Sequence, residues 1–281
     1  MSSDAVIDFR IRPPYGTYQT FVNQIGQGSI EQLGFDYTGS LKTKAYDDFV
    51  AELDRAHVEK AVLQGRHGFM GMYVENRELF DLVERDPERF IAFPFIEALA
   101  PDASQQVDDL VLNGPGAGVA LEPGIATRDY PAFPFDDKRA YPLYDKLQAN
   151  RIPILLTYSL PALERLDPDT PRQLDAVALD FPDLVIVVAH GGWPWTLENI
   201  GIAWRRPNVY LVPDIYAAGV PGTDDYIHAA RTILRDKIVF GSSYPITPID
   251  QYVTRIETSW GLDEETTRNV LYNNAAKILG V

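Results

Sequence analysis

Asp8, Arg10 and Arg12 stand two residues apart near the start of the chain. In an extended strand that spacing puts all three side chains on one face. Neighbouring guanidinium forks suit a carboxylate, which each can grip through parallel N–H donors. Paired with Asp8, they would form a buried ion network instead. Arg66 offers a third cation, either beside them or in a pair with Glu97. His190 precedes Gly191 and Gly192, and an imidazole can carry a proton in either direction near neutral pH. Asp214 could serve as a general base, cap a helix or orient His190. Glu122 could act as an acid or orient an arginine. Thr157, Ser243 and His67 supply further polar groups. Trp193, Trp195, Tyr216 and Tyr244 could wall a pocket for a flat substrate or simply pack in the core. His57, near a helix end, and His228, inside a helical pattern, read as structural or solvated.

These residues must be positioned by something, and the rest of the chain suggests what. Short apolar runs at 6–11, 60–64, 89–95, 118–121, 152–156, 184–189, 208–212 and 237–240 read as strands. Helical patterns at 45–56, 73–85, 104–112, 141–150, 172–179, 197–205, 224–234 and 266–279 alternate with them. Continuous apolar strands imply burial on both faces, as in a parallel sheet covered by helices. Eight such units predict a (β/α)8 TIM barrel of the α/β class, one domain over residues 1–281. The competing architecture is an open doubly wound sheet. Long loops are expected after strand 1, at 13–44, and after strand 4, at 123–138. In a barrel, loops and strand ends on that side carry the chemistry. The candidates fall there: Gln64-Gly65-Arg66-His67 ends the second strand, Glu122 follows the fourth, Thr157 the fifth, His190 the sixth and Asp214 the seventh. Ser242, Ser243 and Tyr244 follow the eighth. The run Asp263-Glu264-Glu265 reads as the acidic first turn of the last helix.

Composition narrows the classes. The chain of 281 residues has no cysteine and four histidines, and its 40 acidic and 25 basic residues give a net charge of −15. No cysteine means no disulfide, no cysteine zinc site and no thiol nucleophile. The acidic excess argues against nucleic acid or an anionic membrane as partner. No run approaches the roughly 20 apolar residues of a membrane span. Met1-Ser2-Ser3-Asp4 lacks the basic and apolar regions of a signal peptide, so the expected location is cytoplasmic. Nucleotide-binding loops and a GxSxG nucleophile elbow are absent.

The ordered set IDFRIRPP, YPLYDKLQANRIPILLTYS, FPDLVIVVAHGGWPW, IVFGSSYP and NVLYNNAAKILG resembles the amidohydrolase-2 family of TIM-barrel hydrolases and decarboxylases. The resemblance implies a divalent metal held by two histidines on strand 1, a histidine on strand 5 or 6 and an aspartate on strand 8. Here Arg10 and Arg12 stand at the histidine pair, Thr157 at the strand-5 histidine and Ser243 at the aspartate. His190 alone is kept. Arginine stays protonated and cannot ligate a cation, so no metal is expected at the usual position. Glu122, His190 and Asp214 remain a minority candidate ligand set.

The expected activity is metal-independent hydrolysis of a lactone or ester on a small carboxylated molecule. His190, Asp214 and Glu122 would be catalytic; Arg10, Arg12, Arg66, His67, Thr157, Trp193, Tyr216, Ser243 and Tyr244 would bind substrate. Asp214 would deprotonate water and His190 would protonate the leaving alkoxide. The alternatives are a metal-dependent decarboxylase or hydratase and a non-catalytic anion binder. Barrels of the family often pair, which leaves a homodimer open.

Overall fold

Among the described residues, runs of Val, Ile, Leu and Phe form seven short strands, because such side chains lose least when covered on both faces. They are β1 (Val6–Ile11), β2 (Val58–Gln64), β3 (Phe90–Phe93), β4 (Val119–Leu121), β5 (Ile154–Leu156), β6 (Ile186–Ala189) and β7 (Val209–Val212). The computed structural model describes residues 5–68, 73–160 and 163–281. Residues 1–4, read above for a signal peptide, lie outside the described residues.

The strands pair in chain order and in parallel, β1-β2-β3 and β4-β5-β6-β7. Between β3 and β4 the ladder is interrupted at Pro94, which has no N–H to donate. The two sheets are still joined there, by Ala117 N to Ala92 O and Ala120 N to Pro94 O, both 2.9 Å. The eighth position is taken by residues 237–244. Val239 N donates to Leu211 O on one side, and Phe9 N donates to Phe240 O on the other, again at 2.9 Å. Ser243 N reaches Arg10 O at 2.9 Å, and the ring is closed as a (β/α)8 barrel. The expected strand at 237–240 is therefore present in place, but bridged rather than laddered. Its chain presses against β7 at Gly241, where a Cβ would come within 2.5 Å of Val212 Cγ1.

Two apolar layers hold the barrel. Ile7, Phe9, Val62, Phe93, Leu155, Val187, Ala189, Tyr210, Val212 and Val239 form one cluster. A cluster fed from nearly every strand in turn can only fill the barrel interior. A larger one packs the outer strand faces against the helices, as Leu79, Phe80 and Leu82 of helix Asn76–Arg85 do. Full burial of such a side chain contributes about 1.5–3 kcal/mol.

β1 departs from simple alternation. Asp8 pairs with Ala61 and Ile11 with Leu63, so three steps on β1 face two on β2. This bulge lets Ile7 and Phe9 fill the interior while Arg10 still faces the barrel mouth. The expectation that Asp8 shares one face with Arg10 and Arg12 by alternation is corrected by it.

The 13–44 connection, expected as a loop, carries three short helices, Tyr18–Gln24, Gln27–Gln32 and Gly39–Thr43. The 123–138 connection has neither helix nor strand. Helix Ile249–Ser259 was not anticipated, although Ile249, Tyr252, Val253 and Ile256 bury one helical stripe. The last helical stretch divides into Glu264–Arg268, a π-turn at Asn269–Asn273 and Asn274–Leu279. Asp263 caps it, accepting from Thr266 N at 2.8 Å, in line with the acidic first turn. Among the described residues, no helix is long and apolar enough to cross a membrane.

Candidate active site

The mouth of the barrel gathers Arg10, Arg12, Gln64, Arg66, Glu122, Thr157, His190, Asp214 and Ser243, all buried. Asp214 is the hub on one side. Its Oδ2 accepts from Arg10 Nη1 at 3.1 Å and from His190 N at 3.3 Å. Its Oδ1 meets His190 Nδ1 at 3.0 Å and accepts from Ile215 N at 2.6 Å. An ionised carboxylate can only accept, so this contact fixes the Nδ1–H form of the imidazole and leaves Nε2 as the acceptor. Arg10 also donates from Nη1 to Ser243 Oγ at 2.7 Å and from Nε to Gln64 Oε1 at 3.2 Å. Arg12 Nη1 donates to Ser243 Oγ and to Ser243 O, at 3.1 and 3.2 Å. Across the mouth, Arg66 Nη2 lies 2.5 Å from Glu122 Oε1. Gln64 Nε2 ties the two sides together, donating to Glu122 Oε1 at 3.3 Å and to Thr157 Oγ1 at 2.8 Å.

Three guanidiniums are buried here against two ion-paired carboxylates, Asp214 and Glu122. Arg12 makes no ion pair among the described residues. Arg10 Nη2, Arg12 Nε and Glu122 Oε2 are buried without a hydrogen-bond partner. Burial holds the Arg10 guanidinium below its usual range, against the pull of Asp214. Burial, then Arg10 and Arg66, lower Arg12 further. Burial and the Arg10 charge push His190 down to about 4, so the imidazole is neutral at pH 7.

Three of the six non-glycine residues with positive φ among the described residues stand at this mouth. His190, Asp214 and Ser243 have φ of 57°, 43° and 55°, the left-handed region that side-chain-bearing residues avoid. Each such residue costs on the order of 1–3 kcal/mol and persists only where its surroundings hold it. Gly191 and Gly192 continue the turn with φ of 58° and 76°. A Cβ at Gly191 would come within 2.7 Å of the Tyr226 ring.

Several expected roles are corrected by this geometry. Asp214 already accepts bonds at both oxygens, so it is placed to orient His190 rather than to take a proton from water. Arg66 pairs with Glu122 rather than Glu97, whose carboxyl turns to Thr127. Asp8 makes no ion pair with Arg10 or Arg12 among the described residues. Its Oδ1 braces β1 to the eighth segment, accepting from Arg10 N and Ser242 N, both at 3.0 Å. Burial raises its carboxyl to about 6. Tyr244 does not line the mouth: its hydroxyl donates to Ser40 Oγ at 3.0 Å and its ring packs 4.9 Å from Phe49. His67 lies between Tyr73 and Phe95, with ring centroids 4.2 and 4.3 Å away. No hydrogen bond among the described residues joins it to Arg10, Arg12 or His190. Tyr216 stands edge-on to His190 at 5.3 Å and stacks on Trp193 at 4.8 Å. Gln64 was not anticipated as a site residue, although its position as the last residue of β2 pointed to it.

The family model described as Amidohydrolase matches residues 24–281. The chain belongs to this amidohydrolase family of TIM barrels. A crystal structure of an uncharacterised TIM-barrel protein from Bordetella bronchiseptica is 32% identical, with TM-score 0.89 and 99% of each chain covered. 2,6-Dihydroxybenzoate decarboxylase from Rhizobium is 16% identical, with TM-score 0.66, covering 100% of this chain and 99% of that one. A probable 2-pyrone-4,6-dicarboxylic acid hydrolase from Acinetobacter baumannii is 14% identical, with TM-score 0.65, covering 99% of this chain and 100% of that one. At these last identities the likeness is one of fold. No curated protein matches the chain.

The side chains at the expected metal position do not suit a divalent cation. Of the five, Arg10 and Arg12 are guanidiniums, which repel one, Thr157 and Ser243 are neutral hydroxyls, and His190 alone is a usual ligand. Glu122 and Asp214 are each held by an arginine. Among the described residues, no group of three or more His, Cys, Asp or Glu is placed to hold a metal ion.

Proposed function

We propose that the chain is a hydrolase that opens a lactone or ester bond in a small carboxylated molecule without a metal. The observation that carries this reading is a pair of buried guanidiniums with free donors, Arg10 Nη2 and Arg12 Nε, beside the His190–Asp214 pair. Arg12, which has no carboxylate partner among the described residues, grips the substrate carboxylate. Arg10, bonded to the same Asp214 as His190, faces the scissile carbonyl oxygen.

His190 Nε2 takes a proton from water as the water oxygen attacks the carbonyl carbon. Negative charge grows on the carbonyl oxygen, and the buried Arg10 cation stabilises it. The C–O bond to the leaving oxygen then breaks, and His190 returns its proton to that alkoxide. One water is consumed; the products are a hydroxyl and a carboxylic acid, which gives up its proton to solvent and leaves as the carboxylate. Asp214 holds the imidazole in orientation and stabilises it while protonated. The Arg10 and Arg12 charges depress His190 in the empty site, so a bound carboxylate that offsets them raises its basicity when the base is needed.

The arginine pair favours hydrolysis over decarboxylation. A carboxylate gripped by guanidiniums is stabilised as a carboxylate, which opposes its departure as carbon dioxide. The test is a panel of carboxylated lactones and esters, each beside its uncharged analogue, followed by proton release. Turnover confined to the carboxylated members is expected. Carbon dioxide release without ring opening, or binding with no turnover, would overturn the reading.

A further inference from the structure

We infer that the outer face of helix Thr196–Arg205 is a self-complementary docking surface for a second copy of this chain. Seven large apolar side chains stand exposed among the described residues, and four of them lie on this helix or on, or just after, its two neighbours. Leu197 and Trp204 are each 67% exposed. Leu179 belongs to the adjacent helix Thr170–Asp180, and Ile233 follows the other neighbour, Thr223–Arg231. Exposed apolar side chains on adjoining elements, beside charged ones, mark an interaction site more often than scattered single residues do.

The pattern on the helix selects the partner. Seven residues are just under two turns, so Leu197 and Trp204 form one row along the face. Glu198 and Arg205 form a second, parallel row. Gly201 lies midway between the rows and midway along them, with nothing within 4 Å of the position of a Cβ. A two-fold axis through Gly201 that turns one helix antiparallel to its copy keeps each row on its own flank and reverses its order. Leu197 then meets the second copy's Trp204, and Glu198 meets its Arg205, twice each. A parallel arrangement would set the apolar row against the charged one. The face is thus complementary to itself in one orientation only, as an isologous interface requires. Gly201 permits close approach of the two backbones. An open groove of about 330 Å³ between this helix and Thr170–Asp180, lined by Glu198, Gly201, Ile202 and Arg205, borders the charged row. Neither Glu198 nor Arg205 is in an ion pair among the described residues.

The test is light-scattering mass measurement after size-exclusion, on the full chain and three variants. The wild type is expected at twice the chain mass. Trp204→Glu is expected to weaken the dimer at least about 30-fold. Glu198→Arg alone also weakens it, through like charge against Arg205. Adding Arg205→Glu to the same chain restores it, because both contacts then reverse sign together. Circular dichroism confirms that each variant is folded. A monomeric wild type, a dimer indifferent to Trp204→Glu, or a charge-reversed chain no better paired than Glu198→Arg would overturn the inference.

Discussion

The interior of this barrel has two ends built on opposite principles. The lower part is filled by Ile7, Phe9, Val62, Phe93, Leu155 and Val187, which need only one another. The upper part is filled by Arg10, Arg12, Gln64, Arg66, Glu122 and Asp214, which are just as buried and need partners. Below, apart from the irregular pairing of β1, the backbone is regular strand. Above, His190, Asp214 and Ser243 all sit at positive φ. Close packing stabilises the first region, while the second is held in a strained, incompletely paired state that packing below must support. Structure and chemistry are therefore stacked along one axis, and substitutions at the two levels should separate stability from activity.

The largest effect is expected at Asp214. Asp214→Asn removes the charge that pairs Arg10 and permits the wrong imidazole tautomer, so kcat should fall by about 10³–10⁴-fold. Steady-state rates on the best substrate of the panel check this; a loss within tenfold would separate Asp214 from the chemistry. In the apolar level, Phe9→Ala should lower unfolding free energy by about 3–5 kcal/mol in a denaturant titration. Turnover per folded molecule should hardly change. Equal damage to both would mean that the two levels are not separable.

Arg12→Met should act in the opposite sense. It removes a buried cation that has no carboxylate partner among the described residues, so stability should hold or rise by about 1 kcal/mol. KM for a carboxylated substrate should rise by about 100-fold, with kcat changed far less. A destabilised Arg12→Met protein with unchanged KM would assign Arg12 to the scaffold.

The smallest effect concerns pH. His190 is lowered to about 4 in the folded chain, by burial first and then the Arg10 charge. The acid limb of kcat/KM, which reports the free enzyme, should lie near 4 rather than at the usual 6.5 of an imidazole. The limb of kcat should lie higher, because bound carboxylate offsets the arginines. In stability, the unfolded chain takes up this proton between 6.5 and about 4 and the folded chain does not, so the His190 contribution falls as pH drops through that window. Replacing His190 by Gln should flatten that part of the stability profile.

Much of this was legible in the residues. Period and punctuation gave the barrel, and strand ends gave Arg10, Arg12, Glu122, Thr157, His190, Asp214 and Ser243. What escaped depends on contacts across the barrel. The partner of Arg66 is Glu122, two strands away, and no local pattern distinguishes it from Glu97. Gln64 links both sides only after the ring closes. Tyr244 follows the same strand end as Ser243, yet the next residue along the chain points to the helix layer and Ser40. The β1 bulge changes the facing of Asp8, and the bulge is set by pairing with β2. The three helices at 13–44 are short and lack side-chain caps, so the usual start signals are missing.

The central claim is that buried arginines do the electrostatic work at this mouth. The most direct test is turnover of a carboxylated lactone by protein exhaustively treated with a chelator, followed by proton release. Undiminished turnover is expected, with one proton released for each ring opened. Loss of activity on chelation, restored by adding a divalent cation, would contradict it.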